Sequence, residues 1–136
     1  MKKKIIIGVL LILFAIIVTA VIMVLSNPLR RSAERIRDDM LELTPIGMSM
    51  EDVLEIIESN DRWEIKFVSH DFGFYRQEPN EPRRTIGRQS IRAYTGRYRN
   101  LPFVLWDVIV VDVFWGFDEN SELIDIWVWK QGLWGL

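Results

Sequence analysis

The feature that most constrains the fold is an uninterrupted apolar run near the start of the chain. Residues 5–25 contain no charged side chain, and three lysines at positions 2–4 precede them. As a helix this run is about 31 Å long, which matches the hydrocarbon thickness of a bilayer. We therefore predict a basic N-terminus over residues 1–4 and a transmembrane helix, a signal anchor, over residues 5–25.

A cleaved signal peptide is the alternative to a retained anchor. Val18, Thr19 and Ala20 provide the small residues of a possible cleavage site. The apolar run continues for five residues past Ala20, which is long for the core of a signal peptide. Because the whole run is long enough to cross a bilayer, the pattern favours retention of the helix.

The charges around the predicted membrane helix bear on its orientation. Three lysines precede the helix and four arginines follow it closely, so the positive charges on its two sides nearly balance. A very short basic N-terminus before a single apolar helix is typical of a signal anchor. We therefore expect a single-pass protein of the cell membrane whose C-terminal domain is extracytoplasmic.

Length and composition exclude several classes of protein. The chain has 136 residues, which leaves room for one small domain after the anchor. Its formal net charge is −2, so we expect no nucleic acid partner. Cysteine is absent, which excludes disulfides, thiolate metal ligands, a cysteine nucleophile and a lipid-modified N-terminal cysteine.

Residues 26–43 are predicted to form a juxtamembrane amphipathic helix. Asn27 is a suitable N-cap residue, and Pro28 suits the first helical position. Apolar residues then recur at spacings of three and four as far as Leu43. The helix either packs on the core of the domain or lies along the lipid headgroups through its arginines, and the pattern leaves both open.

Residues 44–136 are predicted to form one small α+β domain. Ser49 caps a second helix, with Asp52 three residues later, and after Asn60 the apolar period changes from 3.6 to 2. We predict two helices packed on a small, mostly antiparallel sheet of three to four strands that ends in a β-hairpin. The strand candidates are residues 63–67, 86–95, 103–117 and 123–130, with an Asp/Asn-rich turn at 118–122 before the last. Residues 71–75 are either a turn or a short strand.

Alternation assigns side chains to the two faces of these strands. In the first strand, Ile65 and Phe67 are expected on one face. In a later strand, Ile91 and Ala93 are expected inward, with Ser90 outward.

Two segments carry a resemblance to a known family. Residues 44–57 read TPIGMSMEDVLEII, and residues 111–124 read VDVFWGFDENSELI. The first is similar to the opening of SmpA/OmlA (BamE-like) small domains, and the second resembles their terminal hairpin. The resemblance implies two helices on a small antiparallel sheet and a role in binding or assembly, as in uncharacterised membrane-anchored bacterial proteins. The lipid-accepting cysteine of the family is missing here, and a membrane helix takes its place.

Arginine is concentrated in one part of the predicted domain. Residues 76–99 hold seven arginines against two glutamates, whereas residues 49–61 hold five acidic residues and no basic one. Guanidinium groups bind phosphates and carboxylates in a bidentate manner, which predicts a surface for an anionic partner. Pairing inside the domain or a solvated strand face explains the same residues. The candidate binding arginines are Arg83, Arg84, Arg88, Arg92 and Arg97.

The chain has six tryptophans. Trp127 and Trp129 fall on one side of the last predicted strand and alternate with Ile126 and Val128, so both faces of that strand are apolar. Helices can cover only one of these faces, so we expect a partner or the bilayer interface on the other. We therefore add Trp127 and Trp129 to the candidate binding residues.

No pattern in the sequence indicates catalysis. His70 is the only histidine, and no triad spacing accompanies it. The turn at 118–122 resembles the start of a calcium loop but lacks the required glycine, since Leu123 stands there. We expect no catalytic residue, metal or cofactor, and a non-enzymatic envelope protein that binds a protein or an anionic envelope polymer. The alternatives are a secreted inhibitor-like protein after signal cleavage and a small envelope hydrolase.

Overall fold

The computed structural model describes residues 1–100 and 107–133. The predicted start of the longest strand, at 103–106, and Trp134 lie outside the described residues. The helices are α1 (Lys2–Leu25), a 3-10 turn (Pro28–Arg30), α2 (Ala33–Leu43) and α3 (Met50–Glu58). The strands are β1 (Glu64–Ser69), β2 (Phe74–Arg76), β3 (Arg84–Ile86), β4 (Gln89–Arg99), β5 (Val108–Phe117) and β6 (Leu123–Gly132).

The N-terminal helix α1 is long and apolar enough to cross a membrane. It has 24 residues, and its mean hydropathy reaches 3.4. None of its residues is buried against the rest of the protein, so the domain does not cover its apolar side chains. Its one hydroxyl group, on Thr19, donates to the carbonyl oxygen of Ala15 at 2.8 Å and is therefore satisfied within the helix.

The segment after α1 is not the single helix that the sequence predicts. The side chain of Asn27 caps only the short 3-10 turn, where it accepts the backbone N–H of Leu29. Arg31 is extended, and Ser32 then caps α2 by accepting the N–H of Arg35. The prediction of one continuous helix is wrong because a second cap, at Ser32, starts a new helix.

The expected α+β fold is confirmed. Strands β1, β4, β5 and β6 form a sheet in the order β1-β4-β5-β6, and every neighbouring pair is antiparallel. Strands β5 and β6 make the expected hairpin, whose turn is held by the Asp118 carboxylate accepting the N–H groups of Asn120 and Glu122. Strands β2 and β3 pair only with each other and form a short ribbon.

Helices α2 and α3 cover one face of the sheet. Helix α2 lies against β6, and α3 lies against β1. Between them Trp115 is completely buried, and its indole N–H donates to the Thr44 hydroxyl at 3.0 Å. Thr44 in turn donates to the carbonyl oxygen of Met40, so the polar groups at the end of α2 are satisfied inside the core. The core also contains Ile36, Met50, Val53, Ile57, Ile91, Ala93, Val111, Val113, Phe117, Leu123, Ile126 and Val128.

One strand departs from the predicted alternation. The register of β1 against β4 shifts between Ile65 and Phe67, which is a β-bulge. As a result Val68 follows Ile65 onto the helix side, and Phe67 points to the other face with 45% of its surface exposed. The expectation that Ile65 and Phe67 share a face is wrong because the bulge inserts one residue between them.

The segment that joins α1 to the domain is fastened to the sheet. Leu29 packs into the core beside Gly96, where an added Cβ would lie 2.6 Å from a Leu29 methyl group. The Arg30 guanidinium donates to the backbone carbonyl of Asn100 at 3.0 Å. From the end of β6, the Lys130 ammonium donates to the carbonyls of Leu29 and Arg31. These contacts make the linker part of the domain instead of a free tether.

The Lys130 ammonium sits in a partly desolvated position. Partial burial lowers the pKa of Lys130, and the Glu34 carboxylate opposes that shift.

Candidate functional site

The sheet face opposite the helices, here called the open face, carries two rows of side chains that run across the strands. Antiparallel register aligns Phe67, Arg92, Phe114 and Trp127 in one row. The adjacent row consists of Glu64, Tyr94, Asp112 and Trp129. Cross-strand neighbours lie close enough to interact directly, so these rows form one continuous surface.

An aromatic cluster covers the centre of the open face. The ring centroids of Phe114 and Trp127 are 5.2 Å apart, and those of Trp127 and Trp129 are 6.1 Å apart. Phe74 comes from the ribbon and lies nearly parallel to Trp127, at a centroid distance of 6.1 Å. Contacts at these distances stabilise the cluster and fix the ring orientations.

The β2–β3 ribbon closes one end of the open face because Gly116 of β5 allows it to approach closely, and Gly73 allows the close approach of the chain before β2 to β3. A Cβ added to Gly116 would lie 2.9 Å from the Phe74 ring, and one added to Gly73 would lie 1.9 Å from the carbonyl oxygen of Ile86. Ser90, predicted to point outward, is buried under the ribbon and donates to the carbonyl of Phe72 at 3.0 Å. Ser90 does lie on the face opposite Ile91 and Ala93, as predicted, but it is not exposed there because the ribbon covers this part of the face.

A groove of about 740 Å³ lies between the ribbon and the exposed rows. Its walls are mainly aromatic and include Phe67, Phe72, Phe114, Trp127 and Trp129. This volume falls in the range of small-molecule and short-polymer sites. The three charged side chains that line it, Lys66, Arg83 and Arg92, are all basic.

Arg92 is held in place by Asp112 and by two aromatic rings. Its Nη2 lies 2.6 Å from an Asp112 carboxylate oxygen, and the Asp112 side chain is only 8% exposed. The guanidinium carbon is 5.3 Å from the Phe114 centroid and 5.8 Å from that of Trp129. Two of the five guanidinium donors serve Asp112, so Arg92 can donate others towards the groove.

The other two basic side chains stand at the rim. The Arg83 guanidinium lies 4.0 Å from the Tyr75 ring centroid, a cation–π contact that orients it without neutralising its charge. Lys66 lies 5.7 Å from the Tyr94 centroid and pairs with Glu64 at 2.7 Å. Arg83 and Lys66 are both exposed, but the Lys66 charge is shared with Glu64, so Arg83 is the more available of the two cations.

The structure brings together four of the seven predicted binding residues. Arg83, Arg92, Trp127 and Trp129 all line the groove. The other three lie elsewhere, each exposed to solvent. Arg84 pairs with Glu81, Arg88 follows β3 at the ribbon end, and Arg97 is on the open face beyond the groove, opposite Val110.

Internal pairing accounts for part of the arginine cluster. Arg76 binds Glu78 and lies 3.1 Å from Asp125, and Arg92 binds Asp112. These acidic partners belong to the sheet and the ribbon region, not to the acidic helix α3. Asp125 also accepts from Arg37 of α2 at 2.8 Å, so it joins the helix layer to the ribbon across the edge of the sheet.

Sequence reasoning missed the ribbon's contribution to the site. Phe72 and Phe74 belong to a three-residue strand and its approach, which is too short to show a period of two. Phe114 was detectable, because it alternates with buried residues of β5 and therefore faces away from the helices.

His70 does not approach an acidic partner on the open face. It is exposed and follows Ser69, which pairs with Ser90 of β4, whereas Asp112 pairs with Tyr94. Four residues of β4 correspond to about 13 Å, and the Asp112 carboxylate is already bound by Arg92. The hydrolase alternative would need His70 beside Asp112 or Asp107. Neither pairing is formed, because Asp107 precedes β5 at the end of the sheet opposite Ser69.

Comparison of the chain with protein-family models, with curated proteins and with solved structures finds no match. The likeness to SmpA/OmlA (BamE-like) domains therefore stays a prediction from the two segments that carry it.

Proposed function

We propose that the chain is a non-enzymatic, membrane-anchored envelope protein whose extracytoplasmic domain binds an anionic glycan of the cell envelope. The groove on the open face is the binding site. The observation that supports this most is a largely aromatic groove whose three charged lining residues, Lys66, Arg83 and Arg92, are all basic. Lys66 and Arg92 also pair with Glu64 and Asp112, so within the described residues Arg83 carries the unpaired charge among them. A role in binding also agrees with the SmpA/OmlA (BamE-like) domains that two segments resemble.

The charges favour an anionic ligand. Arg83 lines the groove, is held over the Tyr75 ring and forms no salt bridge within the described residues, so its charge is not neutralised by a carboxylate. Arg92 is pre-positioned by Asp112, which reduces the entropy lost when it binds a carboxylate or phosphate. A cationic ligand, which an aromatic cluster alone would also suit, is repelled by these side chains.

The shape favours a sugar polymer over a folded protein. The half-buried rings of Trp127 and Trp129 line the groove with their planes 19° apart, and the buried Phe74 ring lies within 8° of parallel to Trp127. Sugar rings offer flat C–H faces to aromatic rings, while their hydroxyl and acidic groups remain at the polar rim. A protein partner generally needs a larger flat surface, about 800 Å² on each side.

The helix α1 supports a site held at a membrane. Removal of the chain up to Ala20 would leave residues 21–25 attached to the domain, where Met23 is 71% exposed and Leu25 is 62% exposed. An apolar extension of this kind on a secreted protein promotes aggregation. Retention of α1 as an anchor places these side chains in lipid instead.

Binding is tested with the full-length protein in neutral detergent, with tryptophan fluorescence as the readout because Trp127 and Trp129 line the groove. The probes are oligogalacturonate, neutral maltooligosaccharide of the same length, and a polyglutamate peptide of the same charge. We expect oligogalacturonate to bind at least about tenfold more tightly than either control. Equal binding of polyglutamate would replace the glycan with an acidic protein partner.

Neighbouring arginines provide a matched pair of variants. Arg83 lines the groove, whereas Arg84 is directed at Glu81, and both are exposed. We expect Arg83→Ala to weaken oligogalacturonate binding about fivefold to tenfold and Arg84→Ala to leave it within about twofold. Trp127→Ala should abolish binding and Trp127→Phe should retain part of it. Equal effects of the two arginine variants would contradict the proposed site.

A further inference from the structure

The end of the sheet next to the anchor forms a second surface, separate from the groove. We infer that this end rests on the headgroups of the bilayer that α1 crosses, with Arg97 and Arg99 contacting anionic lipids. The inference relies on the retained anchor of the proposed function but not on the groove or its ligand.

The chain is too short to hold this end far from the membrane. Only Ser26 and Asn27 separate α1 from the 3-10 turn that contains Arg30. From Leu25 to Arg30 an extended chain reaches at most about 18 Å, and the 3-10 turn shortens this distance. Arg30 donates to the carbonyls of Arg99 and Asn100, so the end of β4 lies a single side chain away from this linker.

The docked linker also fixes which end of the sheet faces the bilayer. Leu29 packs at Gly96, and Lys130 bonds to the carbonyls of Leu29 and Arg31. These contacts attach the linker to the end of β4 and the end of β6 at the same time. The groove lies towards the opposite end, with Arg92 four residues before Gly96, or about 13 Å along β4.

The side chains at the anchored end suit an anionic lipid surface. Arg97 and Arg99 are both exposed on the open face, opposite Val110 and Val108. Within residues 1–100 and 107–133 neither guanidinium forms a salt bridge. Leu133 is 51% exposed at the same end, where its N–H bonds to the carbonyl of Val108. Basic residues within a Debye length of an anionic leaflet are attracted to it, and an exposed leucine suits the interface.

The absence of native cysteine allows a single reporter at this surface. Gln131 is exposed and lies opposite Val110, in the same row as Arg97. The full-length Gln131→Cys protein is labelled with a nitroxide and reconstituted in nanodiscs of phosphatidylcholine alone or with about 30% phosphatidylglycerol. Protection of the label from a water-soluble paramagnetic quencher reports its contact with headgroups.

We expect the label to be protected in the anionic nanodiscs and much less protected in the neutral ones. Arg97→Glu with Arg99→Glu should reduce protection in anionic nanodiscs about fivefold or more, because each change replaces attraction with repulsion. The control pair Arg84→Glu with Arg88→Glu alters net charge equally at the other end of the domain and should leave protection unchanged.

Two results would overturn the inference. One is a label equally accessible in both lipid compositions, and the other is an equal loss of protection in the two double variants. The outcome is independent of the groove, because oligogalacturonate binding is measured in detergent without a bilayer. Loss of one activity with retention of the other therefore shows which proposal has failed.

Discussion

The two faces of β5 differ in how fully the rest of the chain covers them. On the helix side Val111, Val113 and Trp115 are fully buried by other parts of the chain. Asp112 and Phe114 alternate with them and lie on the open face. There Asp112 binds Arg92, and Phe114 contacts the aromatic cluster, which the ribbon covers only in part. One side of β5 thus belongs to a fully buried core, and the other side belongs to an apolar surface that the described residues cover only in part.

The comparison shows that apolar alternation alone does not separate a core from a binding surface. Polar side chains make the distinction. On the helix side Trp115 donates to Thr44 inside the core, and the network is closed. On the open face the pair Arg92–Asp112 sits among aromatic rings with Arg92 still 38% exposed, so its spare donors remain available.

The sharpest test of this difference is Trp115→Ala. It removes the largest fully buried side chain and the donor to Thr44, so we expect the free energy of unfolding to fall by about 3–5 kcal/mol. Denaturant unfolding of the full-length protein in detergent, followed by near-UV circular dichroism, measures it. Trp127→Ala on the open face should cost clearly less, about 1–2 kcal/mol. Equal costs would mean that the open face is a second core.

A smaller effect is expected from the ion pair of the open face. Asp112→Ala leaves Arg92 without its carboxylate, and because Arg92 is partly exposed we expect a loss of only about 1–2 kcal/mol. A double-mutant cycle with Arg92→Ala separates the pair from its surroundings. A coupling energy near zero would show that Asp112 does not hold Arg92 in place.

Adding one methyl group at Gly116 is expected to displace the β2–β3 ribbon from the sheet. Gly116→Ala places a Cβ 2.9 Å from the Phe74 ring and 3.1 Å from an Ile86 methyl group, so the ribbon must move. We expect a cost of about 1 kcal/mol and faster amide hydrogen exchange in β2 and β3, with the core amides unchanged. Gly8→Ala is the control, since its added Cβ meets no neighbour within 4 Å. Unchanged exchange in the ribbon would show that it does not depend on close approach to β5.

The smallest effect is expected at Phe67, beside the bulge in β1. Phe67 is 45% exposed and Val68 faces the core, so Phe67→Ser should change stability by less than about 0.5 kcal/mol, whereas Val68→Ser should cost about 1.5 kcal/mol. The same unfolding experiment ranks the two. A reversed order would mean that the strand follows the plain alternation of the sequence.

Regular periodicity is what makes the covered face predictable from sequence. Ile91, Ala93, Val111 and Trp115 alternate over long strands, and Ser49 marks the start of α3 with a cap that the structure retains. The apolar helix, the α+β class and the final hairpin follow from signals of the same kind, each extending over ten or more residues.

The candidate site depends on features that a pattern does not encode. A bulge changes the face of Phe67 by inserting one residue, and the ribbon strands have three residues each. The pairing of Arg92 with Asp112 requires the register of β4 against β5, which composition does not give. Arg83, Arg92, Trp127 and Trp129 of the groove were nevertheless predicted from sequence. The signals were the concentration of arginine in residues 76–99 and the apolar character of both faces of the last strand.

The contacts of Leu29 with Gly96 and Lys130 affect the order in which the helix and the domain form during synthesis. During synthesis the linker leaves the ribosome before β4 and β6, so Leu29 is made before the residues that hold it. If α1 is retained as the anchor proposed above, it can therefore enter lipid before the domain has folded. The domain then folds onto a linker that follows this helix directly, and a few residues inserted after Ser26 would let the proposed anchor and the domain form independently.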